Sequence, residues 1–392
     1  MVLFVAYGIQ FSFGVFAGDV VEDTGWSEAR LQLIFACYVF TYSALSAVSG
    51  IATDRFGPRA VVAVGSVVLG GGYVIWAVAD SLWLVFLGLG ITAALGMSAS
   101  WVPCNATVVR WFVVQRGLAS AITTAGGSAA GIVVPPLAAI LVEAHGWRTA
   151  VASLGIGGAV VMLAMSALFA RDPESMGLHP DGAARAVTDD GVETGATMAE
   201  AFRSRAYWLM YGMYAMSFLV VFVPFVHGFG FGESLGAGPL AAAAVLSCVG
   251  VGGLVGRLLS GPMADRIDRR RVVVTAFAIE TLGFVGMAMS TELWMLYPSA
   301  VAFGVAYGGG VTVWPVLVGD FFGRAHLGTI VGRMFATAGS LAAVGPYAAQ
   351  LLLDSTGSYR LAFLLAGGAN GVAFLLATRL PEPPRAFSAP TG

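Results

Sequence analysis

Arg257 stands inside an otherwise apolar stretch, AAAAVLSCVGVGGLVGRLLSGPMADR, eight residues before the next charge at Asp265. If that stretch is a helix crossing a bilayer, the guanidinium sits roughly 12 Å from the nearer edge at about 1.5 Å per residue. A cation at such depth is costly unless it is paired or wetted. Arginine there suits the binding of a carboxylate through two parallel hydrogen bonds. The structural alternative is an ion pair with a membrane-buried acid. Glu280 is the only acid near the middle of a neighbouring apolar run; the expectation is that it packs or hydrogen-bonds near its own helix neighbours, with a proton carrier as the alternative.

Polar and aromatic residues recur at helical intervals in other apolar runs: Tyr7 with Gln10, Trp101 with Asn105, Tyr211 with Tyr214, and Tyr307 with Trp314. Spacings of three, four and seven place each pair on one helix face. Each pair alone is ordinary packing. As a set around one cavity they could bracket a carboxylate and its organic tail, aromatic faces setting the size. His227, near the end of its own run, could tune a gate with pH or be a packed, hydrogen-bonded side chain.

Other chemistries lack their residues. No G-x-x-x-x-G-K-[ST] segment is present, so nothing supports nucleotide-driven work. His145, His179, His227 and His326 are dispersed and suggest no metal cluster. No nucleophile, base and orienting group converge in the pattern, so neither an enzyme nor a cofactor is expected. Cys37, Cys104 and Cys248 are odd in number and lie in apolar runs, which argues against a disulfide framework.

The elements that must position these residues are set by composition. Of 392 residues, 58% are hydrophobic and only 11% charged, against about 25% charged in ordinary soluble domains. Mean hydropathy is +0.83. That balance cannot be wrapped in a water-facing surface, so an all-α integral membrane protein is expected. Twelve apolar stretches long enough to cross a bilayer lie near 1–19, 31–53, 60–79, 82–108, 117–142, 149–170, 206–229, 238–264, 272–291, 293–319, 327–353 and 360–379. The first follows Met1 at once and reads as a span rather than a signal peptide. Residues 171–205 carry Asp, Glu, Gly, Pro and Thr without apolar periodicity and read as a linker. The expected organisation is a six-helix bundle over 1–170, the linker, a second bundle over 206–380 and a tail over 381–392. The 53 glycines mostly serve close helix packing.

Arginine placement sets the topology. The loops on one side hold Arg55, Arg59, Arg110, Arg116, Arg171, Arg185, Arg203, Arg205, Arg266, Arg269, Arg270, Arg271, Arg324, Arg379 and Arg385, whereas the other side has only Arg30, Arg148 and Arg360. Positive charge favours the cytoplasmic side, so both termini are expected in the cytoplasm of a cell membrane. A net charge of -2 excludes the basic excess of nucleic-acid binders.

The halves repeat. GIATDRFGPR at Gly50 to Arg59 recurs as GPMADRIDRR at Gly261 to Arg270, and Pro136 recurs as Pro346. Offsets of 210 to 212 over even numbers of spans give a parallel pseudo-two-fold. Within the repeated segment Gly50 and Gly57 allow close approach and a tight turn, Asp54 can face a helix N-terminus, and Arg55 and Arg59 hold the cytoplasmic side. Together with Asp265 and Arg266 they read as a conformational clasp.

This loop resembles the signature of the major facilitator superfamily. SFGVF at Ser12 to Phe16, GWS at Gly25 to Ser27, RDPESMGLHPDG at Arg171 to Gly182, GRLLSGPMADR at Gly256 to Arg266 and FFGRAHLGTIVG at Phe321 to Gly332 narrow the resemblance to the bacterial monocarboxylate transporter and oxalate/formate antiporter branch. The resemblance implies a rocker-switch carrier built as two pseudo-symmetric six-helix bundles, with spans 1, 4, 7 and 10 and their neighbours 2, 5, 8 and 11 around a central cavity. It also matches Arg257 to an eighth-span arginine that holds the substrate anion. Gly253 stands where proton-linked members carry an aspartate, and the chain has no lysine, unlike the first span of those members or the eleventh of oxalate carriers. One fixed cation suits a monoanion better than a dianion. The expected partners are a small-molecule carboxylate, a coupling proton or counter-anion, and the lipid bilayer, with the chain acting as a monomer. Rival readings are an exporter of amphipathic compounds, an oxalate/formate-type anion exchanger and a transporter-like sensor.

Overall fold

The structure, a computed structural model, describes residues 1–112, 116–173, 176–179, 195–323 and 327–383. The expected all-α architecture is what it shows: the regular elements in the described residues are helices, apart from an isolated bridge between Gly195 and Gly323. Nine helical stretches among the described residues are long and apolar enough to cross a membrane.

In chain order the spans are α1 (Val2–Thr24), α2 (Glu28–Phe56), α3 (Pro58–Ala77), α4 (Leu82–Val108), α5 and α6 within Arg116–Ser166, and α7 (Arg205–Ser234). Then follow α8 (Pro239–Arg266), α9 (Arg269–Met289), α10 (Leu293–Phe322), α11 (residues 327–356) and α12 (Tyr359–Thr378). The continuous helix Arg116–Ser166 is two spans turning at Gly146, whose φ of 76° a side chain would oppose. α1 and α7 reach further than their apolar cores suggest, to Thr24 and Ser234, and α11 runs through a short 3₁₀ turn at Leu341–Ala343. A short helix, Met198–Arg203, precedes α7 and begins with a capping box between Thr197 and Glu200.

The outward faces carry the lipid-facing chemistry. Val64, Ile122, Ile156 and Leu282 are each more than half exposed, which water would penalise and hydrocarbon does not. Trp83 and Trp294 open α4 and α10, are 66% and 68% exposed, and lie 211 positions apart, so the sequence repeat is also a repeat of interfacial anchors.

α1 to α6 pack among themselves, and so do α7 to α12. Across the two groups α1 meets α7, α2 meets α11, and α5 meets α8. At one end of the helices the loops are acidic, with Asp23, Asp80, Glu292 and Asp354; at the other they carry Arg55, Arg59, Arg203, Arg266 and Arg270. The groups close together toward the acidic end, where Phe11 stacks on Phe225 at 4.3 Å. At that end the N-terminal group is also tied by Arg148, which donates to the carbonyls of Ala77 and Ala79 at 3.2 and 3.0 Å, while Trp147 donates to Asp23 at 3.1 Å.

Candidate functional site

Between the two groups lies a cavity of about 760 Å³, within the range of small-molecule sites. Its wall runs from the Phe11 and Phe225 stack toward the arginine-rich end, where Gly50, Asn105, Thr124 and Val331 line it. The wall is mostly apolar, with Tyr7, Tyr42, Ser43, Ser46, Trp101, Asn105, Thr124, Ser128, Tyr214 and Tyr307 as its polar points.

Among the described residues of that wall, Arg257 is the one that carries a charge. It is 5% exposed. One terminal nitrogen donates to the Ser128 hydroxyl on α5, across the boundary between the groups. Its charge lies 5.8 Å from the centre of the Tyr307 ring, a favourable but weak contact. Nε has no hydrogen-bond partner, and no carboxylate among the described residues comes within 4.0 Å of the guanidinium. A serine satisfies one donor and compensates no charge. The site is therefore a desolvated cation with spare donors facing an apolar chamber, an arrangement that an anion completes.

α5 and α8 can present Ser128 and Arg257 to each other because both helices are stripped of bulk where they cross. A Cβ at Gly250 would lie 2.7 Å from the Ile132 nitrogen and from the Ser128 carbonyl oxygen. Ser247 donates to the Ile132 carbonyl at 2.9 Å across the same crossing.

The aromatic residues divide. Tyr7, Trp101, Asn105, Tyr214, Tyr307 and Trp314 line the cavity together with Arg257. Tyr7 and Trp101 meet edge to face at 6.1 Å, and Tyr214 stacks on Trp314 at 4.6 Å. Gln10 and Tyr211 are not among the lining residues. Gln10 is buried beside Tyr42, and Tyr211 stacks on Tyr207 at 6.3 Å beside Trp208 toward the arginine-rich end. Ser128 and Tyr42 join the site without having been singled out by sequence. The small-residue run AGGSAAG at 125–131 is the signal for Ser128, since its one hydroxyl is conspicuous on a stripped helix face.

The loop residues sit at the arginine-rich end. Gly57 has φ 82° and joins α2 to α3 in a turn that disfavours a side chain. Gly50 lines the cavity against Val102. Arg55 lies over the Phe56 ring at 5.3 Å, and Arg59 and Arg266 are exposed. The side chains of Asp54 and Asp265 lie outside the described residues. In the second half an ion pair of this region joins Arg269 to Asp320 at 2.7 Å, linking the start of α9 to the end of α10. His227 is buried outside the cavity wall, its Nε2 2.9 Å from the Pro346 carbonyl. No cluster of three or more His, Cys, Asp or Glu that could hold a metal occurs among the described residues.

Glu280 contradicts the expectation of partners on its own helix. It is 3% exposed, and Ser217 of α7 donates to its carboxylate oxygens at 3.4 and 3.3 Å. Asn370 of α12 lies within hydrogen-bond reach.

Comparison with known proteins agrees with this architecture. The Major Facilitator Superfamily model matches residues 1–258 and 221–392. Human Monocarboxylate transporter 11 is 27% identical over 93% of this chain and 77% of that protein. A Cupriavidus necator protein named "Probable sulfoacetate transporter SauU" is 25% identical over 96% of this chain and 90% of its own. Among solved structures, a bacterial homologue of the human lysosomal transporter Spinster, in an inward-facing and occupied conformation, superposes with a TM-score of 0.74 at 14% identity, covering 97% of this chain and 95% of that one.

Proposed function

The chain belongs to the Major Facilitator Superfamily and is a multi-pass membrane transporter resembling the monocarboxylate branch, and on that premise we propose that it carries a small organic monocarboxylate by rocker-switch alternating access, Arg257 pairing with the carboxylate. The observation that supports this reading is the single uncompensated charge of the cavity wall. Every other described residue lining that chamber is neutral. One anion offsets one guanidinium, whereas a second negative charge would enter an apolar chamber unpaired.

The aromatic walls then bound the organic part of the substrate. Trp101 and Tyr7 belong to the first group, Tyr214, Tyr307 and Trp314 to the second, so a bound acid touches both halves and its binding energy can bias their relative position. In this reading the bodies that rock are residues 1–170 and 206–380, joined by the 171–205 linker, with the contacts at Gly50, Arg55, Gly57 and Arg59 regulating the arginine-rich end. By the positive-inside argument that end is cytoplasmic, both termini with it, in the cell membrane. The cavity as it stands is then open inward.

The relatives named for monocarboxylates and for sulfoacetate agree on an acidic organic cargo. The experiment is uptake into proteoliposomes of a radiolabelled panel of pyruvate, lactate, sulfoacetate and oxalate, with cationic dyes as the contrast. The reading expects one of the two monocarboxylates to be taken up best, with uptake abolished in Arg257→Gln. Dye transport that persists in that variant without carboxylate uptake would assign an exporter of amphipathic compounds instead.

A further inference from the structure

A second titratable group is built into the same half of the protein. Glu280 lies behind the cavity wall, beside a void of about 30 Å³, enough for a water molecule. Tyr214, Phe218, Val221, Tyr307, Val311 and Trp314 line both this void and the cavity. The carboxyl is thus one layer of side chains from the chamber. Of these six, Tyr307 has the Arg257 charge over its ring and also lines the Glu280 void.

The surroundings of Glu280 suit two protonation states. No cation among the described residues lies within 4.0 Å of it, so a permanent negative charge would be uncompensated in a membrane interior. Ser217 donates to it, which serves the ionised form. Asn370 hydrogen-bonds the carboxyl as Ser217 does and serves the same ionised form, while the lack of a nearby cation among the described residues serves the neutral one. The Asn370 Nδ2 also donates to the Phe277 carbonyl at 3.2 Å and to Thr281 Oγ1 at 3.1 Å, while its Oδ1 is buried without a donor. Among the packed elements, α7 presents Tyr214, α10 presents Tyr307, α8 presents Arg257 beyond Tyr307, and α12 presents only the neutral Asn370.

We propose that Glu280 is a proton-binding site that couples one proton to each anion carried. When the cavity is empty, the Arg257 charge beyond Tyr307 favours release of the Glu280 proton to cavity water through the small void. When a monocarboxylate pairs with Arg257, that bias is cancelled, and Glu280 takes up a proton and holds it. Release of the anion to the other side returns the proton to water there, so anion and proton cross together and no net charge moves.

The coupling rests on the proposed anion cargo, whereas the proton site does not, and the test separates them. Infrared difference spectra of reconstituted protein, recorded without substrate during a pH titration, are expected to show a carboxylic-acid C=O band that titrates reversibly. Glu280→Asp should shift it and Glu280→Gln remove it. A spectrum with no pH-dependent acid band altered by Glu280→Asp overturns the proposal, even if the Gln variant fails to fold. In the second arm, with pyruvate as probe, an imposed pH gradient should drive accumulation of up to about tenfold per pH unit in the wild type, retained in Glu280→Asp and lost in Glu280→Gln. Gradient-driven accumulation that survives in Glu280→Gln also overturns it. Pyruvate left uncarried by a protein whose acid band titrates supports the proton site and counts against the carboxylate cargo.

Discussion

Replacing Gly250 with alanine should bias the protein away from the arrangement described above. The new methyl would lie 2.7 Å from two backbone atoms of α5 and 2.9 Å from the Gly131 carbonyl carbon, whereas ordinary contact begins near 3.4 Å. No side-chain rotation relieves a clash with backbone, so α5 and α8 must part by roughly 0.7 Å or strain in place, an overpacking cost of about 1–3 kcal/mol. That cost falls on the state in which the two helices cross closely, the state that also joins Arg257 to Ser128. A state with the helices apart is spared. The population ratio then shifts by about 5- to 150-fold. In a background with Cys37, Cys104 and Cys248 replaced by alanine, a single cysteine at Ala336 on the cavity wall reports access from the arginine-rich side. Its labelling by a membrane-impermeant maleimide should slow in Gly250→Ala, by at most that factor, as the accessible fraction falls. Gly71→Ala is the matched control, because a Cβ there meets nothing within 4 Å. Labelling and thermal stability of Gly250→Ala equal to those of the parent would refute the role of this crossing.

Further outcomes are expected elsewhere. Arg257→Lys keeps the charge but loses the planar fork, and calorimetric affinity for the carried acid should fall by about 10- to 100-fold, the equivalent of one or two charged hydrogen bonds. Arg148→Ala removes the donors to the Ala77 and Ala79 carbonyls and the cation above the Trp147 ring at 4.5 Å. As the side chain is 38% exposed, a loss of about 1–2 kcal/mol is expected, read as a lower Tm. Trp314→Ala deletes the ring stacked on Tyr214 at 4.6 Å and should let bulkier monocarboxylates compete with pyruvate while weakening small ones, which inhibition constants across a chain-length series would show.

The spans were legible because the bilayer allows few solutions: apolar runs of sufficient length must be helices that satisfy their own backbone. Arginine asymmetry and the repeat then ordered them. The site was legible only where helical geometry forgives. Trp101 with Asn105 and Tyr307 with Trp314 both reach the cavity, since spacings of four and seven leave residues only about 40° and 20° apart around the axis. A spacing of three leaves about 60°, and both pairs of that kind split: Tyr7 faces the chamber without Gln10, Tyr214 without Tyr211. Ser128 could not be assigned from its own helix, because its role comes from the facing α8. Glu280 was misread for the same reason, its partners Ser217 and Asn370 lying 63 and 90 positions away in sequence. Contacts between elements, rather than patterns within one, decide both residues.

Calorimetric binding of pyruvate, lactate and their uncharged amides to the wild type and to Arg257→Gln bears most directly on the charge that recognises the cargo. The account predicts that the wild type prefers an acid over its amide, and that the glutamine variant loses at least about 2 kcal/mol, some 30-fold in affinity, for the acid alone. Equal binding of the acid by both proteins, or a wild type indifferent to the substrate's charge, would contradict it.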